Sequence, residues 1–135
     1  MTVTTGQLVR HYYVALARKR DWESFLAEDF AFTSHASPGR RLSGKDAYLA
    51  GTQRFFSMVS SLQVKDLIAD GASACALTRY ELRPAAGPAF HSDVAEILVV
   101  KDGEIASLDV YFDSAPFPKQ PVEMAGRRST MRRAE

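Results

Sequence analysis

From Ser61 onward the apolar residues stop recurring every three or four positions and begin to alternate, and this switch of period constrains the fold more than any other feature. Alternation predicts strands over Gln63 to Ala69, Ala74 to Arg83, Ala89 to Val100 and Ile105 to Asp113. Asp70-Gly71 and Asp102-Gly103 supply the positive φ angles that tight hairpin turns demand, and Pro84-Ala-Ala-Gly-Pro88 makes a longer connection. Consecutive strands are therefore antiparallel, and the second half of the chain is a β meander.

The first half reads as helix. Thr4 and Gln7 have capping-box spacing, and Leu8, Val9, Tyr12, Tyr13 and Leu16 follow at helical intervals, which predicts a helix from Gln7 to Lys19. Asp21 is placed to cap a shorter second helix carrying Trp22, Phe25 and Leu26. Phe30, Phe32 and Ser34 alternate with Ala31, Thr33 and His35 as a short strand, which Ser37-Pro38-Gly39 ends. A second capping box, Ser43 to Asp46, opens a long third helix whose inner stripe holds Tyr48, Gly51, Phe55, Met58 or Val59, and Leu62.

Helices first and a curled antiparallel sheet afterwards make an α+β fold: a cone-shaped α+β barrel in which about three N-terminal helices cover the concave sheet face. A chain of 135 residues has room for one such domain, expected over 1–115, with 116–135 a Pro- and Arg-rich C-terminal extension. Lys and Arg number 17 against 16 Asp and Glu, so no global field draws the protein to nucleic acid or anionic lipid, and neither is an expected partner. No segment approaches the ~20 apolar residues needed to span a bilayer. The single cysteine, Cys75, lies in an apolar run as a buried small hydrophobe, and together with the absence of a signal-like start this predicts a cytoplasmic protein. No His, Cys, Asp or Glu cluster has metal-ligand spacing, and no Gly-rich turn is placed to hold phosphates, so no cofactor is expected.

The segments YYVALARKRDW, LAEDFAFTSH, GKDAYLAG and KDGEIASLDVYFD, in that order from Leu8 to Asp113, resemble the nuclear transport factor 2-like superfamily. That group includes ketosteroid isomerases, SnoaL-like polyketide cyclases and limonene epoxide hydrolase. The resemblance implies a pocket between the helices and the concave sheet face, so strand parity decides which side chains enter it. Leu108, Val110 and Phe112 form the apolar, inward set of the last strand, opposite Asp109, Tyr111 and Asp113. Counting back across Asp102-Gly103 puts Glu96 inward with Ser92, Val94 and Leu98.

Within the resemblance, Glu96 occupies a place like that of the cyclases' catalytic aspartate and the isomerases' oxyanion-hole aspartate, and Tyr13 matches the isomerases' oxyanion tyrosine. The isomerases' general base falls on Ser34, which cannot accept a proton near neutrality, so steroid isomerisation is disfavoured. The aspartate of limonene epoxide hydrolase falls on Val110. Arg79-Tyr80-Glu81 looks superficially like the Arg-x-Asp pair of these hydrolases, and the sequence leaves open whether Arg79 and Glu81 or Thr78, Tyr80 and Leu82 face inward. His35 reaches the interior only if a bulge precedes Pro38.

The expected catalytic set is therefore Glu96, Tyr13 and Arg79. The expected substrate-binding set is Phe32, Ser34, His35, Tyr48, Phe55, Ser92, Val94, Leu108, Val110 and Phe112. A carboxylate in an apolar cavity has its pKa raised toward the operating pH and serves as general acid or base. The expected activity is SnoaL-like, cofactor-independent acid/base catalysis (isomerase, cyclase, dehydratase or epoxide hydrolase) on a small, largely apolar oxygenated molecule. The alternative is a non-catalytic ligand-binding or protein-association module on the same fold. Outward residues such as Tyr111 predict a homodimer through the outer sheet face.

Overall fold

The computed structural model describes residues 3–36 and 38–117. Among them are two α-helices, a 3-10 turn and six strands, in the order α1 (Thr5–Arg18), the 3-10 turn Trp22–Phe25, β1 (Leu26–Ser34), β2 (Arg40–Ser43), α2 (Lys45–Met58), β3 (Val59–Asp70), β4 (Ser73–Leu82), β5 (Phe90–Lys101) and β6 (Glu104–Phe112). The strands form one sheet in the order β2-β1-β6-β5-β4-β3. Neighbouring strands run antiparallel except β1 and β6, which are parallel.

The α+β reading and the meander stand. The first capping box forms as the spacing predicts: Gln7 N–H donates to Thr4 Oγ1 at 3.1 Å, and Thr4 N–H donates to Gln7 Oε1 at 3.0 Å. The helix then buries Val9, Tyr12, Tyr13 and Leu16 on one face, packed against β3 and β4. Asp102 and Gly103, at φ 53° and 78°, make the β5–β6 hairpin with both central residues left-handed, as a type I′ turn requires.

The second helix shrinks to a 3-10 turn, and Asp21 does not cap it through its side chain. Lys19 and Asp21 both take left-handed backbone angles, so the chain reverses within a few residues and Leu26 already lies in β1, opposite Ile105 of β6. A longer helix would have removed that pairing. The second capping box does not form either. Ser43 is held in β2 opposite Ala31, and Gly44, at φ 95°, starts α2 without a side-chain cap. Edge strand β2 has no counterpart among the expected elements; its sequence, RRLS, carries no alternation, and pairing with β1 alone makes it a strand. Val59 and Leu62, expected on the helical stripe, belong to β3.

Alternate residues of β4 are buried (Ala74, Ala76, Thr78, Tyr80, Leu82), and so are Ser92, Val94, Glu96 and Leu98 of β5. The helix α1 lies against β3 and β4, while α2 lies over β1 and β2. Cys75 falls on the opposite parity and is half-buried, which corrects the expectation of a buried thiol. Phe117 packs on Phe90 and Phe112, with ring centroids 5.1 and 5.2 Å away, so packed structure runs past the expected domain end at 115. The four arginines of the expected extension lie outside the described residues. No helix among the described residues is long and apolar enough to cross a membrane.

Candidate functional site

Glu96 is 2% exposed in the middle of β5, directly opposite Ala76 on one side and Val110 on the other. Ala76 ends at its Cβ, so the carboxylate turns along β4 instead of across it. There it accepts hydrogen bonds on Oε2 from Thr78 Oγ1 at 2.7 Å and from the Tyr80 hydroxyl at 2.8 Å. No cation pairs with it among the described residues.

Burial holds the Glu96 carboxyl above its ordinary range, and the hydroxyls of Thr78, Tyr80 and Tyr13 pull it back part of the way. Around it stand four tyrosines from three elements: Tyr12 and Tyr13 of α1, Tyr48 of α2 and Tyr80 of β4. Each phenol is pushed up, first by its own burial and then in part by the neighbouring negative charge of Glu96. The result is one carboxyl group in a shell of neutral hydroxyls.

Tyr13 is where parity and helical spacing place it, facing the sheet and 3% exposed. Its hydroxyl couples electrostatically to Glu96 but stops short of a formed hydrogen bond, and with Ser92 Oγ it is one of two buried side-chain oxygens left without a partner among the described residues. An unmade bond of this kind costs about 1–3 kcal/mol, and a ligand oxygen can recover that cost.

Arg79 is not part of this group. It has outward parity and donates from Nε and one terminal nitrogen to Asp93 Oδ1 and Oδ2, at 2.8 and 3.0 Å, across the β4–β5 register. The expected catalytic role for Arg79 is therefore withdrawn. The inward residue of that tripeptide is Tyr80, which the sequence reading left undecided. A usable signal was present: the set Ala74, Ala76, Thr78, Tyr80 and Leu82 contains no charge, whereas the alternate set holds both Arg79 and Glu81.

His35 is corrected as well. No bulge turns it inward; Nε2 lies 2.8 Å from Asp109 Oδ2, and its ring stacks on Tyr111 with centroids 4.3 Å apart, all on the outer face. Ser34 shares a cross-strand row with Val110 and Glu96, but Val110 stands between the two polar groups. Phe32 and Tyr48 pack on each other at 5.1 Å. Phe55 meets the Tyr80 ring at 5.5 Å, and Val94, Leu108 and Val110 are buried walls of the same interior. Phe112 is half-buried against Phe117.

Two cavities lie beside this interior. The smaller, about 110 Å³, is walled by Leu16, Lys19, Trp22, Phe56, Leu62 and Tyr80, among others. The larger and more open, about 370 Å³, is bounded by Trp22, Glu23, Leu49, Ala50, Gln53 and Phe56. Trp22 and Phe56, with ring centroids 5.0 Å apart, form the partition between them. Tyr80 forms the inner wall of the smaller cavity and also bonds Glu96, so it is the structural link between open space and the buried carboxylate. Neither cavity is lined by Tyr13 or Glu96. Among the described residues, no group of three or more His, Cys, Asp or Glu side chains is placed to hold a metal.

The model of the SnoaL-like domain matches residues 9–108 of the chain. No curated protein matches it. Among solved structures, a protein from Kribbella flavida DSM 17836 is similar at 28% identity and a TM-score of 0.67, over 84% of this chain and 92% of that one. An NTF2-like protein of unknown function from Cytophaga hutchinsonii shares 23% identity at a TM-score of 0.68, over 86% and 96%. A protein of ketosteroid isomerase-like fold from Catenulispora acidiphila, in complex with trimethylamine, shares 18% identity at a TM-score of 0.66, over 82% and 88%.

Proposed function

Because this chain belongs to the SnoaL-like domain family, we propose that it is a small-molecule enzyme using cofactor-independent general acid/base catalysis, with Glu96 as the proton-transferring carboxyl. The observation that carries this reading is the condition of Glu96: buried, with no cation paired to it among the described residues, and bonded on one oxygen by Thr78 and Tyr80. Such a group keeps its proton to higher pH than an ordinary carboxyl, the direction that suits a general acid or base.

Tyr13, buried with a free hydroxyl beside that carboxyl, is the donor for a substrate oxygen on which negative charge develops. The pair suits enolisation, aldol cyclisation, dehydration or epoxide opening of a small, largely apolar oxygenated molecule. The trimethylamine complex of the Catenulispora protein is in keeping with a fold that takes small molecules. Screening ketones, epoxides and polyketide intermediates for turnover tests the reading. Glu96→Gln is expected to lower kcat by about a hundredfold or more on the substrate found, and unchanged turnover overturns the role.

A second reading, a non-catalytic ligand-binding module, is favoured by one observation: neither cavity reaches Glu96 or Tyr13. Saturable binding without turnover of any screened compound, unaffected by Glu96→Gln, would establish it.

The outer sheet face carries Ile68, Leu77, Ile97, Val99 and Tyr111, each at least 36% exposed. Pairing of two copies through this face, in a cytoplasmic homodimer, belongs to the same proposal. A monomeric mass in light scattering at micromolar concentration overturns it.

A further inference from the structure

We propose that the smaller cavity binds a small apolar monocarboxylate, its hydrocarbon held by Leu16, Trp22, Phe56 and Leu62 and its carboxylate by the ammonium group of Lys19 at the rim. The inference goes beyond the acid/base reading and does not need Glu96 to be catalytic.

The residues that wall this cavity are apolar apart from Tyr80 and Lys19, with the indole N–H of Trp22 as a further donor. Tyr80 already donates its hydroxyl hydrogen to Glu96. Lys19 spends one of its three donors on the Val59 carbonyl, at 2.6 Å, and faces no acidic side chain among the described residues. Its remaining donors are therefore available at the edge of an apolar space.

Its backbone conformation is also unusual. Lys19 ends α1 at φ 55° and ψ 42°, where glycine or asparagine is the common choice. A lysine kept in that conformation swings its side chain across to the end of α2, where Val59 supplies the carbonyl. Part of the reason is electrostatic, since the C-terminal ends of both helices converge on the ammonium. That account explains a cation there but not its placement on the wall of a cavity.

Size narrows the class. Benzene fills an apolar cavity of about 150 Å³. A space of about 110 Å³ therefore suits a short acyl chain better than a ring system. Trp22 and Phe56 stand between this cavity and the larger one, and Trp22 is the only tryptophan in the chain. Occupancy can therefore be read from intrinsic fluorescence.

The test titrates the full-length protein with isovalerate and with isovaleramide, its uncharged counterpart, following Trp22 emission and confirming by calorimetry. The acid is expected to bind saturably and about tenfold or more tighter than the amide, as a hydrogen bond to a charged group warrants. Lys19→Met should abolish that preference while leaving amide binding in place, and Leu62→Phe should remove binding of both by filling the space. Glu96→Gln should leave the acid's affinity unchanged, so that loss of turnover and loss of binding are separate results. Thermal unfolding checks each variant, with Lys19→Gln standing in if the methionine variant does not fold. Equal affinity for acid and amide, a preference that survives at position 19, or no saturable response to isovalerate each overturns the inference. A change in stability alone, with the preference intact, would assign Lys19 to the helix ends.

Discussion

The two faces of the central strands treat a carboxylate in opposite ways. On the inner face Glu96 has two hydroxyl donors and, among the described residues, no cation, and burial dominates, so its pKa is raised. On the outer face, three residues earlier on the same strand, Asp93 is gripped at both oxygens by Arg79, and that bonding lowers its pKa. The same functional group thus holds its proton more tightly on one side and gives it up more readily on the other. What separates them is strand parity: one step along the chain exchanges solvent for core.

The largest effect expected from this contrast is in packing. Leu98 is fully buried and its neighbour Ile97 is 41% exposed. Leu98→Ala should cost about 2–5 kcal/mol in urea unfolding, and Ile97→Ala under about 1 kcal/mol. An Ile97→Ala penalty that grows with protein concentration would report that the outer face is covered in an assembly.

Next come the hydroxyls on Glu96. Tyr80→Phe and Thr78→Val each remove one donor from a buried carboxyl and should each cost about 1–3 kcal/mol at neutral pH. Combined, the two should not be additive, because both bond the same oxygen. Full additivity would mean that the donors act independently of Glu96.

The pH dependence follows with its sign. Glu96 holds its proton to higher pH in the folded chain than in the unfolded one, so between those two values the native state binds more protons. Its contribution is complete below the ordinary carboxyl value and is lost as pH rises through the raised one. Glu96→Gln should flatten that decline in unfolding free energy; an unchanged slope would refute the raised value.

The smallest effect belongs to the outer pair. Asp93, depressed by Arg79, contributes above its ordinary value and loses that contribution as pH falls through the lowered one. The pair is exposed, so Asp93→Asn should have a slight effect that disappears in high salt, whereas the Glu96 dependence should persist there.

Much of this arrangement is legible in the sequence. The inward position of Glu96 with Ser92, Val94 and Leu98 followed from counting across one Asp-Gly turn, and Tyr13 from helical spacing. Hairpin register is local, which is why the count succeeded. Strand β2 was hidden because pairing with β1, not its own pattern, makes it a strand. Tyr80 was left undecided although its charge-free row carried the signal, and Arg79 was given a role that its partner Asp93 takes away.

The sequence by itself determined the period of each segment, the hairpins of the meander and the side of the sheet on which Glu96 lies. All three are set by residues close together in the chain, through backbone geometry and the need to bury apolar side chains. Only the tertiary structure decided which hydroxyls reach Glu96, that β1 runs parallel beside β6, and that Lys19, Trp22, Phe56 and Tyr80 enclose a single space. Those outcomes depend on how distant elements approach one another, and no local pattern encodes the distance between two side chains that meet only after the chain has closed on itself.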